Sequence, residues 1–432
     1  MSMTTESDAY LDESASASSE DYPLSAVPQN ARKPFWSLAL LLMGFALTSS
    51  TLFAGGAIGP AFSFPQLLGV ILIGNVILGI YCAALGYIAS KSGLTTVLMA
   101  RFSFGNLGSR WVDFILGFTQ IGWYAFTTAI VVQVLFELLG IENTGFLYYL
   151  WVFLFNYAFC ATAYIGYSAI DWLSRLAVPA MLVLVAISLS LAFRDFGTVG
   201  ASVPSGELSL GTALALVIGT FISGGTQATN WSRFAESGKA AILSTLSAFT
   251  LVNGILVFAG AFCTLVYGSQ DLIQAMATQG ILLAGIALLI LNVWTTQDNT
   301  IYAFSVAGAN MFRTPRRHAF VLIGATFALV LTLSGIYEYL PNYLILLGTF
   351  IPPVGGIIMV DFWVRHKGQF PVLSESLPAF NWAGVIAYVV GSAVAYFTGE
   401  AGFLVGPVNG IVTAAVLYAV LCQVMPQDSP SA

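Results

Sequence analysis

The sequence predicts an all-α polytopic membrane protein: twelve transmembrane helices, set out as two inverted five-helix repeats with broken helices one and six, plus two peripheral helices. Three observations lead there. The 432 residues are 58% hydrophobic and only 8% charged, with a mean hydropathy of +0.86, whereas roughly a quarter of the residues in a soluble domain are charged. Apolar runs of about 20 residues, the length that crosses roughly 30 Å of hydrocarbon, recur along the whole chain. Poor helix-forming stretches occupy corresponding places in the two halves.

Residues 1–33 are rich in Ser, Ala and acids and lack apolar periodicity, which predicts a disordered cytoplasmic lead-in. They do not read as a signal peptide, because the first basic residues, Arg32 and Lys33, follow the acidic tract instead of preceding an apolar core. Six of the twenty acids lie in this tail, so the membrane part is nearly neutral despite the net charge of −6. That balance excludes an overall attraction to nucleic acid.

Twelve spans come next, near 36–59, 66–89, 111–139, 146–166, 174–193 and 210–231 in the first half, then 241–267, 280–305, 318–340, 342–364, 380–398 and 403–424. With the amino terminus inside, thirteen of the fourteen Lys and Arg residues fall in cytoplasmic segments, and Arg194 alone is outside. This positive-inside bias orients the chain in a plasma (inner) membrane with both termini cytoplasmic. The opposite loops carry acids: Glu142, Asp195, Glu207, Asp271, Glu338 and Glu400. The expected organisation is a tail at 1–33, a first repeat at 34–195, an inverted second repeat at 208–365, two additional helices at 378–424 and a cytoplasmic tail at 425–432.

The repeat rests on weak helix. Span one is interrupted by Thr48-Ser49-Ser50-Thr51 and then Gly55-Gly56, and span six carries Ser223-Gly224-Gly225-Thr226. The glycine pairs are 169 residues apart, Trp123 and Trp294 are 171 apart, and Pro179 stands 173 and 174 before Pro352-Pro353. Glycine pairs in membrane helices also mediate close helix packing. Their placement in both halves favours broken helices lining a mid-membrane site, the pattern of secondary transporters.

Polar residues within the spans point to what that site holds. In span eight, Asn292, Thr295, Thr296 and Asn299 share one helical face, and their oxygens suit a small hard cation such as Na+. The competing role is helix glue, with each Thr bonded to its own preceding turn. Asp298 lies off that face, as a proton site or as the partner of an Arg or of backbone donors. In span three, Gln120 and Trp123 lie one turn apart, an amide beside an indole, which suits a flat heterocycle. Phe221 is placed to close the other side, with the backbone at Ser223 and Gly224 offering hydrogen bonds. Cys82, Cys160, Cys263 and Cys422 are scattered singly and read as buried thiols.

These segments resemble the cytosine permeases of the nucleobase:cation symporter family. The resemblance lies in Ala31-Arg32-Lys33, Ile73-Gly74-Asn75 with Leu78-Gly79-Ile80-Tyr81, and Thr95-Thr96 through Ala100-Arg101-Phe102-Ser103-Phe104-Gly105. It continues in Thr119-Gln120 with Gly122-Trp123, Phe221-Ile222-Ser223, Leu291-Asn292 with Trp294-Thr295-Thr296, and Ile351-Pro352-Pro353-Val354-Gly355-Gly356. It covers about residues 28–424 and implies a ten-helix core, with helices one, two, six and seven moving against three, four, eight and nine. It also implies that Trp123 and Phe221 sandwich a base whose edge bonds Gln120, Asn292 and the Ser223, Gly224 and Gly225 backbone. The implied sodium site uses Thr295 and Thr296, with Asn292 close by and carbonyls near Ala46 and Ser49.

Asn230-Trp231, Gly224, Tyr124 and Gln297 depart from the family pattern beside the expected pocket. The leading expectation is sodium-coupled import of a nucleobase, cytosine first, by alternating access. Proton coupling, or a purine, hydroxypyrimidine, thiamine-precursor or amino-acid substrate on the same fold, is the alternative. The expected partners are the base, sodium and membrane lipid, with no other cofactor. An enzyme is disfavoured, since the only histidines, His318 and His366, sit at cytoplasmic helix ends. An ATP-driven pump is disfavoured because G-x-x-x-x-G-K-[ST] is missing.

Overall fold

The computed structural model describes residues 21–142, 145–199, 206, 208–268, 272–373 and 377–425. Residues 1–20 and 426–432 of the two expected tails lie outside that set, as do Glu207 and Asp271. The described chain is helical almost throughout. Helix α1 (Phe35–Ala46) and α2 (Ser49–Ile58) form a pair bent by 58°, and α3 (Phe64–Ser92) runs back. A Ser63–Gln66 capping box starts α3 and Gly93 stops it. The segment Thr96–Phe104 (α4), which falls between the expected spans two and three, is a buried short helix whose first turn is capped by the Thr95 hydroxyl.

Helix α5 (Gly108–Leu138) is followed by α6 (Gly145–Phe159), α7 (Ala161–Ile165) and α8 (Tyr167–Val199). Only Gly166, at a φ of +120° that side chains avoid, separates α7 from α8. Helix α8 therefore starts seven residues before the expected span five. Within these added residues Asp171 accepts from Ser37 on α1 at 2.8 Å and pairs with Arg175.

The second half comprises α9 (Leu210–Gly219), α10 (Ile222–Thr226), α11 (Thr229–Ser232), α12 (Gly238–Leu246), a π-helical stretch (Ser247–Val252) and α13 (Asn253–Tyr267). A short α14 (Leu272–Thr278) precedes α15 (Leu282–Met311), α16 (Arg317–Leu333), α17 (Leu340–Phe350), α18 (Pro352–Val360), α19 (Trp382–Glu400) and α20 (Gly406–Val424). Among the described residues, eight helices are long and apolar enough to cross a membrane, and the α1–α2 and α9–α10 pairs, bent by 58° and 51°, pass as broken spans. Helix α15 falls outside the set because its Asn292–Thr300 run is polar. Trp36, Leu72, Ile80, Phe146 and Phe397 stand exposed on outer faces. Such a surface is stable only against lipid, so the chain is an integral membrane protein.

Both breaks sit upstream of the glycine pairs. The first falls at Leu47-Thr48, with Thr48 extended, and Gly55-Gly56 lie inside α2. The second falls at Thr220-Phe221, and Ser223-Gly224-Gly225 lie inside α10. A side chain on Gly55 would overlap the Val257 carbonyl oxygen, and one on Gly260 the Leu52 carbonyl oxygen. Gly55 thus serves the close crossing of α2 and α13, the packing role that competed with helix breaking. Gly260→Ala is expected to destabilise the purified protein by at least about 1 kcal/mol through overpacking, read as a lower melting midpoint in detergent. An unchanged midpoint would contradict the tight crossing.

The expectation of a disordered lead-in is corrected for residues 21–33. Asp21 is 3% exposed and forms a buried ion pair with Arg317 at 2.9 Å. Arg233 donates to the carbonyls of Asp21 and Tyr22, and Arg32 donates to Ser90 and Ala235 carbonyls. Low hydrophobicity argued for disorder; specific ionic partners at the helix ends override it.

Candidate substrate and ion site

The two breaks face each other across α5 and α15 and enclose a cavity of about 20 Å³. Its walls come from Phe45, Thr48 and Ser50 at the first break, Thr220, Phe221, Ser223 and Gly224 at the second, Gln120 and Trp123 on α5, and Thr296 and Thr300 on α15. Every one of these side chains is uncharged. The volume holds roughly one water molecule, so a ring enters only when the aromatic walls part.

Helix α5 supplies the polar handle. Gln120 is 1% exposed, and its Nε2 has no hydrogen-bond partner among the described residues. A buried amide donor left unmade costs about 1–3 kcal/mol, so this group is prepared for an acceptor on a ligand. Trp123, one turn on, meets Tyr343 of α17 edge-to-face at 5.6 Å and 80°. The Tyr343 hydroxyl donates to the Thr119 carbonyl, which fixes the prop. Across the cavity Phe221 is held by Phe45 at 5.3 Å and Phe249 at 5.5 Å. A Cβ on Gly224 would come within 2.9 Å of both Phe221 and Phe45, so glycine is what lets this aromatic corner close.

The ion side is built from neutral oxygens. The Thr296 hydroxyl lies 2.9 Å from the Asn292 carbonyl on its own helix and 3.2 Å from the Leu47 carbonyl at the first break. The Thr295 hydroxyl instead bonds back to the Leu291 and Asn292 carbonyls at 3.0 and 3.2 Å. The chemistry of this donor set fits a hard cation. Leu47, between the expected Ala46 and Ser49, is the residue whose carbonyl meets α15.

Of the residues expected from sequence, Gln120, Trp123, Phe221, Ser223, Gly224 and Thr296 converge on the cavity. Asn292, Thr295 and Gly225 are buried beside it without lining it. Gly225 is turned away, where a side chain would overlap the Cys82 sulfur, and its N–H bonds to the Phe221 carbonyl at 2.6 Å. Phe45, Thr48, Ser50, Thr220 and Thr300 were missed. Thr48 and Ser50 belong to the interrupting run, and Thr300 follows Thr296 by one turn, so those three were signalled; Phe45 was one Phe among 32.

Asp298 is fully buried on the far side of α15, where Thr162 donates to it at 3.1 Å and Asn299 at 3.0 Å. The Asn299 backbone N–H bonds it as well, and among the described residues no arginine pairs with it. Gln297 and Tyr124, expected beside the pocket, tie α15 to α5: the Gln297 amide donates to the Tyr124 carbonyl at 2.8 Å and to Thr128 at 2.7 Å. Trp231 packs beneath Phe45 at 4.9 Å, one layer behind the cavity.

Broken helices around a small neutral cavity, in a chain of lipid-facing helices, define a membrane transporter and not an enzyme. Comparison with known proteins agrees. Residues 26–421 match the family described as permease for cytosine/purines, uracil, thiamine, allantoin, and the chain belongs to that family. It is 34% identical over 412 residues to the cytosine permease of Escherichia coli (strain K12), covering 94% of this chain and 95% of that one. It is 22% identical over 428 residues to the hydantoin permease of Microbacterium maritypicum, covering 89% of this chain and 84% of that relative. Its fold matches a nucleobase-cation-symport-1 family transporter in a closed conformation with bromovinylhydantoin bound, at a TM-score of 0.80, 19% identity and 92% and 94% coverage of the two chains. It also matches a Na+-coupled sialic acid symporter, at a TM-score of 0.69, 11% identity and 92% coverage of each.

Proposed function

We propose that this permease imports a neutral nucleobase, cytosine first, together with sodium, by alternating access. The observation that carries the reading is the Gln120 amide, buried and unpartnered between Trp123 and Phe221 in a cavity without charged walls. A neutral flat ring presents two apolar faces and an edge of donors and acceptors, and this site offers aromatic rings and neutral hydrogen-bonding groups to match. Trp123 and Phe221 stack the base, while Gln120, Asn292 and the backbone at Ser223, Gly224 and Gly225 take its edge. Sodium, held by Thr295, Thr296 and carbonyls of the first break near Asn292, joins the bundle to α15 and couples its downhill entry to movement of the base.

In this reading the chain crosses the inner membrane twelve times with both termini cytoplasmic. The inverted repeats occupy residues 34–195 and 208–365, and 378–424 forms the two peripheral helices. The breaks themselves, at Thr48 and Phe221, are 173 residues apart, matching the Pro179 to Pro352 spacing. Cytosine uptake into vesicles at fixed pH tests the coupling: a sodium gradient is expected to drive accumulation. Uptake indifferent to sodium and driven by a proton gradient would overturn the ion assignment, and competition by purines or amino acids in place of cytosine would overturn the substrate.

A further inference from the structure

Four buried polar side chains join the two breaks, and of these only Thr220 is also a wall of the cavity. Asn253 opens α13 directly after the π-helical stretch and is fully buried. Its Oδ1 accepts from the Thr51 hydroxyl at 2.9 Å, and its Nδ2 donates to Thr220 Oγ1 at 2.9 Å and to Asn75 Oδ1 at 2.8 Å. Thr51 stands in the first turn of α2, and its N–H bonds to the Thr48 carbonyl at 3.2 Å. Thr220 ends α9 and immediately precedes Phe221. The polarity is determined by the outer partners. The Thr220 proton goes to the Val217 carbonyl at 2.7 Å and the Asn75 amide donates to Ile71 at 2.7 Å, so both must accept from Asn253. A carboxamide accepts from the first break and still has two protons to give, one to the second break and one to Asn75, where a hydroxyl has a single proton.

We propose that Asn253 is a positioning residue that ties the first break to the second, so that sodium bound beside Leu47 raises the affinity of the site at Phe221 for its base. This rests on the sodium-coupled reading of the site. Neither Asn253 nor Thr51 lines the cavity, so their effect travels through the backbone they hold. The extra residue per turn of the π stretch rotates α13 relative to α12 and brings Asn253 into line with both hydroxyls.

The test is equilibrium binding of labelled cytosine to the purified full chain, in sodium and in choline, with the melting midpoint recorded alongside. In the unmodified protein sodium is expected to tighten binding by about five- to 150-fold, the usual span of coupling between sites. Asn253→Ala is expected to shrink that ratio to near one. Thr51→Val, which cuts only the first-break link and keeps the shape, is expected to do the same and serves if Asn253→Ala does not fold. A ratio retained in the folded variants would overturn the positioning role alone. A ratio of one in the unmodified protein would overturn sodium coupling and this role with it.

Discussion

Under the proposed function, Trp123→Ala is expected to weaken cytosine binding by about five- to 150-fold, because base–aromatic stacking is worth about 1–3 kcal/mol and each 1.4 kcal/mol is about tenfold. The sign is unambiguous because the substitution enlarges a cavity of about 20 Å³ and so cannot exclude the ring by crowding. The opposite wall remains, since Phe221 is held by Phe45 and Phe249 and makes no contact that depends on the indole. Trp123→Phe retains a face and is expected to lose less. Binding measured in saturating sodium separates this loss from any change at the ion side. Equal affinity in Trp123→Ala and the unmodified protein would remove the ring sandwich from the mechanism.

Asp21→Ala lowers stability by about 3–5 kcal/mol, the range for leaving one member of a buried ion pair unpaired. Arg317 is fully buried and Asp21 is 3% exposed, so solvent screens the pair little. The carboxylate also accepts from the Tyr167 N–H at 3.0 Å and the Tyr302 hydroxyl at 3.3 Å. Its loss therefore loosens α8, α15 and α16 together. Arg317 would keep the Ala163 carbonyl and the Tyr302 ring, which do not neutralise its charge. The measurement is the temperature at which the purified protein loses its monodisperse elution profile, with Asp21→Asn as the shape-preserving comparison. An unaltered temperature for both would show that the Asp21–Arg317 pair contributes nothing to stability.

Much of the site was legible because its chemistry is local. Gln120 and Trp123 are one helical turn apart, and Thr296 and Thr300 likewise, so periodicity alone puts each pair on one face. The breaks were legible only approximately. The Thr48-Ser49-Ser50-Thr51 run flagged the first correctly, but the glycine pairs were read as part of the interruption although Gly55 packs against α13 and Gly225 against α3. Glycine weakens a helix and also permits close crossing, and which effect operates depends on the neighbouring backbone.

The tail shows the same limit from the opposite side. Residues 21–33 carry the composition of a disordered segment, and nothing within them announces Arg233 and Arg317, more than two hundred residues away, as partners. Asn253 is a still clearer case. It lies in a largely apolar segment, and its partners Thr51, Asn75 and Thr220 come from three other stretches of the chain.

Solvent class, the helices and the neutral, aromatic character of the working groups follow from composition and short-range pattern, because burial in lipid constrains each residue separately. The placement of the breaks, the closing of Phe45 and Phe221 over Gly224, and the joining of the two breaks through Asn253 depend on which helices meet. Those contacts are set by side-chain shape and hydrogen-bond geometry across long sequence separations, and only the assembled packing brings them within reach.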